Sequence, residues 1–174
     1  LLNHAIACDK REDEFSFAVL FLDLDRFKVV NDSLGHHAGD VLLKIIAREL
    51  LSIVRNKDTV ARLGGDEFVI LIEDLASNDE AFNVANRITE FLEQPFTIDN
   101  QLVYTGTSIG ISFSNQRYDD ANTMLRDADT AMYHAKDNGR GRYEVFDDSM
   151  HQKVQNALSL EADIREAIAW QEFI

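Results

Sequence analysis

Three acids stand where carboxylate chemistry could be done. Asp23 lies at the carboxyl end of the apolar run "SFAVLFLDL" (16–24), and Asp66 and Glu67 follow Gly64-Gly65 at the mouth of the apolar hairpin "RLGGDEFVILI" (62–72). Charge at such positions costs packing, so it needs a use. If the hairpin pairs beside the first strand, Asp23 and Asp66 converge. Two carboxylates brought together repel, and either a proton or a cation must sit between them. Mg²⁺ held by one or two carboxylates plus substrate phosphates is a common solution for such a pair. The competing reading makes both acids solvated turn residues, capping a helix or flanking the hairpin. Spacing alone leaves the two open. Asp66 is expected on the same side of its strand as Phe68, Ile70 and Ile72. Glu67 then points to the opposite face, where a solvated strand residue is the simpler account.

The elements that must position these acids follow from the apolar pattern. Residues 16–24 are apolar on both parities, which predicts a central strand covered on both faces. From 36 to 54, Leu42, Ile46, Leu50 and Val54 recur four apart, an amphipathic helix. Val60–Leu63 and Asp66–Ile72 read as strands joined at Gly64-Gly65, where a primed turn wants φ > 0. Residues 79–94 read as helix, 102–114 as one strand, 121–137 as helix ending near Asn138-Gly139, and 142–146 as a short strand. A final helix is expected from about 149 to 171. Interleaved helices and strands with an antiparallel hairpin predict an α/β fold, a mixed central sheet sandwiched by helices. His36 and His37 are adjacent on a helix, point apart, and read as surface residues. Phe113, Met132 and Tyr133 read as core.

Bulk properties narrow the partners. The chain has 174 residues, 45% of them apolar, consistent with one domain and a substantial core. The single cysteine, Cys8, cannot form an internal disulfide, and fits a reducing, cytoplasmic setting. No apolar run approaches the length of a membrane span, so no direct membrane contact by this domain is expected. The formal net charge of −14 disfavours nucleic acid and anionic lipid. A small phosphorylated ligand remains compatible if a divalent cation mediates.

Three stretches together carry a resemblance. "FLDLDRFKVVNDSLGHHAGD" (21–40), "RLGGDEF" (62–68) and "DADTAMYHAKDNGRGRYEVF" (127–146) occur in the order and at about the spacing of the GGDEF domain of diguanylate cyclases. The resemblance covers roughly residues 15–147. It implies a nucleotidyl-cyclase or palm-like fold with the signature on a hairpin turn. The activity implied is condensation of two GTP molecules into cyclic di-GMP by a homodimer. It further implies Mg²⁺ or Mn²⁺ held by Asp23, Asp66 and the Leu24 carbonyl, with Glu67 tied to metal binding and catalysis. Phe27 and Lys28, in the segment Arg26-Phe27-Lys28 that starts a helix, are implied at the terminal phosphates, where helix-start amides favour anions. Lys28 is also implied in catalysis. Asn31 and Asp40 match the pair that reads guanine; Asp can accept from N1–H and the exocyclic amine, which adenine does not present there. Lys136 and Arg140 match basic residues on the triphosphate.

Each of these has a plainer competitor. Asn31 could close a helix, Asp40 could favour a helix's positive end, and Lys136 and Arg140 lie near a helix carboxyl end where bases help anyway. "RNKD" (55–58) places Arg55 and Asp58 in an R-x-x-D arrangement whose offset from the glycines, in this family, marks an inhibitory site for the product. The resemblance also implies that the family's opening segment, similar to D-x-L-T-G-L-x-N-R, belongs just before Leu1. "LSLEADIREAIAWQEFI" (158–174) resembles the helix leading into an EAL phosphodiesterase domain. The expected division is therefore a GGDEF domain over 1–147 and a connecting helix over 148–174, from a two-domain parent that could be membrane-anchored. In such parents the domain can instead be a silent GTP-binding regulator. A polymerase-type palm shares the two-metal logic, but the acidic charge and lack of a basic channel oppose it.

Overall fold

The computed structural model describes residues 1–11, 15–114, 118–150 and 168. Its elements run α1 (Leu2–Asp9), β1 (Phe17–Asp25), α2 (Phe27–Leu34), α3 (His36–Ile53), β2 (Thr59–Gly64), β3 (Glu67–Glu73), α4 (Asn78–Leu92), β4 (Phe96–Ile98), β5 (Gln101–Val103), β6 (Gly106–Phe113), α5 (Ala121–Asp137) and β7 (Arg142–Val145). A five-stranded sheet has the order β2-β3-β1-β6-β7, and β4-β5 form a separate small ribbon. Strand β1 is central and antiparallel to both β3 and β6, while β7 lies parallel to β6. The sheet is mixed, as the interleaved pattern predicts.

Double-parity apolar sequence makes β1 the spine. Ala18, Leu20, Leu22 and Leu24 join one core with α2, α3 and α4. Phe17, Val19 and Phe21 join a second core with α1 and α5. Every β1 position is buried except Asp23, which is half-buried. On β3 the same alternation continues: Phe68, Ile70 and Ile72 pair with Leu22, Leu20 and Ala18 and share their face. The two faces are thus covered by different helices, the sandwich expected of a strand that is apolar throughout.

Local chemistry departs from the expected boundaries in three places. The hairpin turn is Gly65-Asp66, one residue later than predicted, because a bulge between Arg62 and Gly64 shifts the register and pairs Gly64 with Glu67. Gly65 alone takes a positive φ, 52°, and the Arg62 guanidinium clamps its carbonyl through Nε and Nη2 (3.0 and 2.7 Å). Residues 102–114 are not one strand. Asp99 and Asn100, at φ 50° and 62°, make a two-residue primed turn that folds β4 onto β5, and β6 begins only at Gly106. Helix α1 has a weak apolar pattern and lacks a side-chain cap, so nothing local announces it.

Asp120 caps α5, accepting from the amides of Asn122 and Thr123. Met132 is buried as expected and Phe113 packs against the core, but Tyr133 is exposed on the outer side of α5. The expected final helix lies almost wholly outside the described residues. No helix among the described residues is long and apolar enough to cross a membrane.

Candidate active site

The signature turn is fastened to the central strand by backbone. The Leu24 amide donates to the Asp66 carbonyl at 3.3 Å, and Asp23 stands directly opposite Glu67 in the β1–β3 register. Asp66 therefore belongs to the turn, not to the strand face of Phe68, Ile70 and Ile72; the bulge accounts for the difference. Glu67 does lie on the face opposite Phe68, and that is the face of Asp23. It is half-buried there, so the simpler account of a solvated strand residue fails. From α5, Lys136 reaches across and pairs with Asp23, Nζ to Oδ2 2.8 Å. Thr107 on β6 donates its hydroxyl to the Asp23 carbonyl at 3.0 Å, steadying the strand end.

Crowding of like charge is the dominant electrostatic fact. Burial raises the Asp23 carboxyl above its ordinary range, Lys136 opposes that, and Asp66 and Asp25 add to it. Glu67 is raised as well, first by desolvation and then by repulsion from Asp129, Asp23 and Asp66. Such a cluster favours a cation beyond the one lysine. Among the described residues no group of three or more His, Cys, Asp or Glu surrounds a single point. The ligands that the resemblance implies, the Asp23 and Asp66 carboxylates and the Leu24 carbonyl, are all hard oxygen donors. This donor set fits Mg²⁺, which keeps water and takes further oxygens from a bound phosphate.

The other expected residues fall on two sides of this cluster. Helix α2 starts at Phe27 after Arg26 in a left-handed conformation, φ 61°. The Phe27 ring is core, so that residue can meet a ligand only through its backbone, whereas Lys28 is exposed. Asn31 on α2 is pressed against Gly39 on α3; a Cβ at Gly39 would lie 2.0 Å from Asn31 Oδ1 and 3.1 Å from the Phe27 ring. Only glycine admits that approach. It brings Asn31 next to the residue preceding Asp40, which is exposed in the second turn of α3, past the helix end where an acid would meet the dipole. His36 and His37 are exposed, as expected. Arg140 follows α5 in the loop before β7, also left-handed at φ 63°.

Two acids of the site escape the motif reading. Asp129 lies one α5 repeat before Lys136 and bears on Glu67; the seven-residue spacing was its only sequence signal. Asp25 is buried, its side chain 7% exposed, and it shares the parity of Asp23. Two acids spaced i, i+2 at a strand end were the available clue.

The R-x-x-D segment sits on the opposite sheet face from the acid cluster. Arg55, Asp58, Glu80 and Arg87 line a cleft of about 150 Å³ between the end of α3 and α4. Asp58 shapes the turn, one oxygen accepting from the Arg55 amide (2.8 Å) and the other from the Glu73 amide (3.3 Å). Arg55 lies 3.1 Å from Glu80 and holds that carboxyl below its ordinary range. Arg87 donates to the Ile53 carbonyl at 3.0 Å.

A mixed sheet between helices, with acids from its central strand and an adjoining hairpin turn gathered at one end, defines a nucleotidyl-cyclase-like domain. The chain belongs to the GGDEF family: the profile for "Diguanylate cyclase, GGDEF domain" matches residues 1–142. It is 43% identical over 162 residues to the bifunctional diguanylate cyclase/cyclic di-GMP phosphodiesterase MucR of Pseudomonas aeruginosa, covering 93% of this chain and 24% of that protein. It is 40% identical over 168 residues to the cyclic di-GMP phosphodiesterase PdeR of Escherichia coli, covering 97% and 25%. The diguanylate cyclase TpbB of P. aeruginosa is 44% identical over 134 residues, covering 76% and 31%. The crystal structure of the GGDEF domain of TpbB superposes with a TM-score of 0.79 at 41% identity, covering 84% of this chain and 91% of that one. The chain spans only about a quarter to a third of the length of these three relatives.

Proposed function

We propose that this domain is a diguanylate cyclase, joining two GTP molecules into cyclic di-GMP with release of pyrophosphate. One observation carries the reading: the Leu24–Asp66 backbone bond and the Asp23–Glu67 register gather the signature acids at the end of β1, facing Lys136. In the reaction the 3′-hydroxyl of one GTP attacks the α-phosphorus of the other, and pyrophosphate leaves; a second, identical step closes the ring. Asp23 and Asp66, with the Leu24 carbonyl, would hold a divalent ion, which would supply charge neutralisation on the phosphates and activation of the attacking hydroxyl. Lys136 and Arg140 bear on the triphosphate and the departing pyrophosphate, with Lys28 and the first amides of α2 at its far end. Glu67, raised by burial and then by its acidic neighbours, is a candidate proton acceptor. Asn31 and Asp40 read guanine.

Each domain has one such site and the product is two-fold symmetric, so catalysis takes two domains facing one another. Arg55 and Asp58, with the cleft they line, form a site where the product inhibits. The C-terminal segment leads towards an EAL phosphodiesterase domain in the parent chain; MucR, named for both cyclase and phosphodiesterase activity, is consistent with a parent of that kind. A second reading rests on the 40% identity to PdeR, named for phosphodiesterase activity: a silent domain that binds GTP to control a neighbour. The complete set of acids, guanine pair and bases favours the enzyme.

The test is incubation of the chain, at high concentration, with GTP and Mg²⁺, assaying cyclic di-GMP and GTP binding in the same samples. We expect product, and we expect Asp66→Ala to lower turnover on the order of a hundredfold or more, since even outer-shell changes at metal sites cost up to that. Tight GTP binding without product establishes the silent regulator instead. Activity near wild type in Asp66→Ala refutes the site.

A further inference from the structure

The residue two beyond Asp23 has no role in the reaction proposed above, yet its buried carboxylate is engaged through both oxygens. We infer that Asp25 is a positioning residue that sets the basic wall of the nucleotide site by anchoring the loop that carries Arg140.

Its carboxylate is buried, and both oxygens are committed. Oδ1 accepts from the Ser108 hydroxyl on β6 at 2.8 Å and lies 3.9 Å from Arg140 Nε. Oδ2 accepts from the Gly141 amide at 3.2 Å. Gly106 makes room for it; a Cβ there would come within 3.1 Å of Oδ2. The loop it grips is one the chain would not hold by itself. Gly139, Arg140 and Gly141 all take positive φ (114°, 63° and 59°), and Arg140 is a side-chain-bearing residue in a conformation that such residues avoid. The Arg140 amide is tied back to the Ala135 carbonyl at the end of α5 (3.0 Å), and the next amide, that of Gly141, goes to Asp25. Alternate residues of β1 thus hold a base at the end of α5 and the loop that follows it: Asp23 takes Lys136 and Asp25 takes the Arg140-Gly141 corner. Arg140 keeps more than half its side chain exposed beside the Asp25 carboxylate while its backbone is pinned, so its guanidinium can meet a phosphate from a defined origin.

The inference rests on the reading of Lys136 and Arg140 as triphosphate contacts. The test uses the whole chain with a GTP analogue bearing a methylene bridge between the α and β phosphorus, which cannot release pyrophosphate, and with guanosine, which has no phosphate. Asp25→Asn is close in shape, and it replaces one acceptor oxygen with an amide NH2 donor opposite the Gly141 amide or the Ser108 hydroxyl. We expect it to weaken analogue binding about tenfold, the scale of a lost charge-assisted contact, and to leave guanosine binding unchanged. In an Arg140→Ala background the same change should cost no more than about twofold, since the two act through one contact. Equal losses for both ligands, no loss at all, or a full tenfold loss without Arg140 would each overturn the positioning role. If Asp25→Asn does not fold, Ser108→Ala carries the test: it frees Oδ1 from one partner and should weaken analogue binding selectively, an unchanged affinity overturning the role. A wild-type chain that binds neither analogue nor guanosine refutes the proposed function and this inference with it. Analogue binding that Asp25→Asn leaves intact refutes the inference alone.

Discussion

At the scale of single residues, the site separates what reads the base from what handles the phosphates. Asp40 is exposed in the second turn of α3, and its proposed work is to accept from guanine donors that adenine lacks. Asp40→Ala should therefore lower the GTP-to-ATP preference in kcat/KM by roughly 10- to 100-fold, the range of a lost polar recognition contact. Steady-state rates with both nucleotides check it, and an unchanged ratio places base reading elsewhere. Arg55 answers to a different ligand. Its guanidinium lies against Glu80 on the far side of the sheet, so Arg55→Ala should leave initial rates intact while raising the product concentration needed for half-inhibition about tenfold or more. Feedback identical to wild type would make RNKD a plain surface turn.

At the scale of elements, the decisive contact is between α5 and β6. A Cβ at Gly110 would lie 1.9 Å from the Ala128 carbonyl oxygen and 2.3 Å from the Met132 amide, so helix backbone rests on strand backbone. The small residues Ala128, Ala131 and Ala135, all fully buried, line the same helix. This close seat is what delivers Lys136, one turn further on, to within 2.8 Å of Asp23. Backbone cannot give way as a flexible side chain can. Gly110→Ala should therefore destabilise the fold by about 3 kcal/mol, at the upper end of overpacking costs, read as a lowered thermal midpoint. A midpoint within error of wild type would mean that α5 can shift without penalty. Gly39 plays the matching part between α2 and α3, where Asn31 fills the space a methyl group would take.

At the scale of the whole molecule, one domain offers one gathering of acids, while the proposed product contains two identical halves. The rate per protomer should then rise in proportion to protein concentration until dimers saturate, and a rate per protomer independent of concentration from the most dilute samples upward would refute the two-domain requirement. The net charge of −14 makes two such domains repel. Salt, which screens that repulsion, acts on the same association.

Much of this fold is legible in the sequence because its signals are local. Apolar residues on both parities of 17–24 require a strand covered on both faces, and four-residue spacing from Leu42 to Leu50 requires a helix with one buried side. The motif stretches likewise mark the residues that meet at the site. What only the tertiary structure decided depends on partners distant in the chain. Glu67 faces Asp23 because a bulge at 62–64 and the β1–β3 register put it there. Residues 101–103 leave the expected strand because a primed turn at Asp99-Asn100, where neither residue is glycine, the usual marker, pairs them with β4 in a separate ribbon. Asp25 looks like a second surface acid until β6 and the α5–β7 loop close over it, 83 and 116 residues away. Periodicity states which face a side chain takes, but the groups that wait on that face are set by pairing across the sheet.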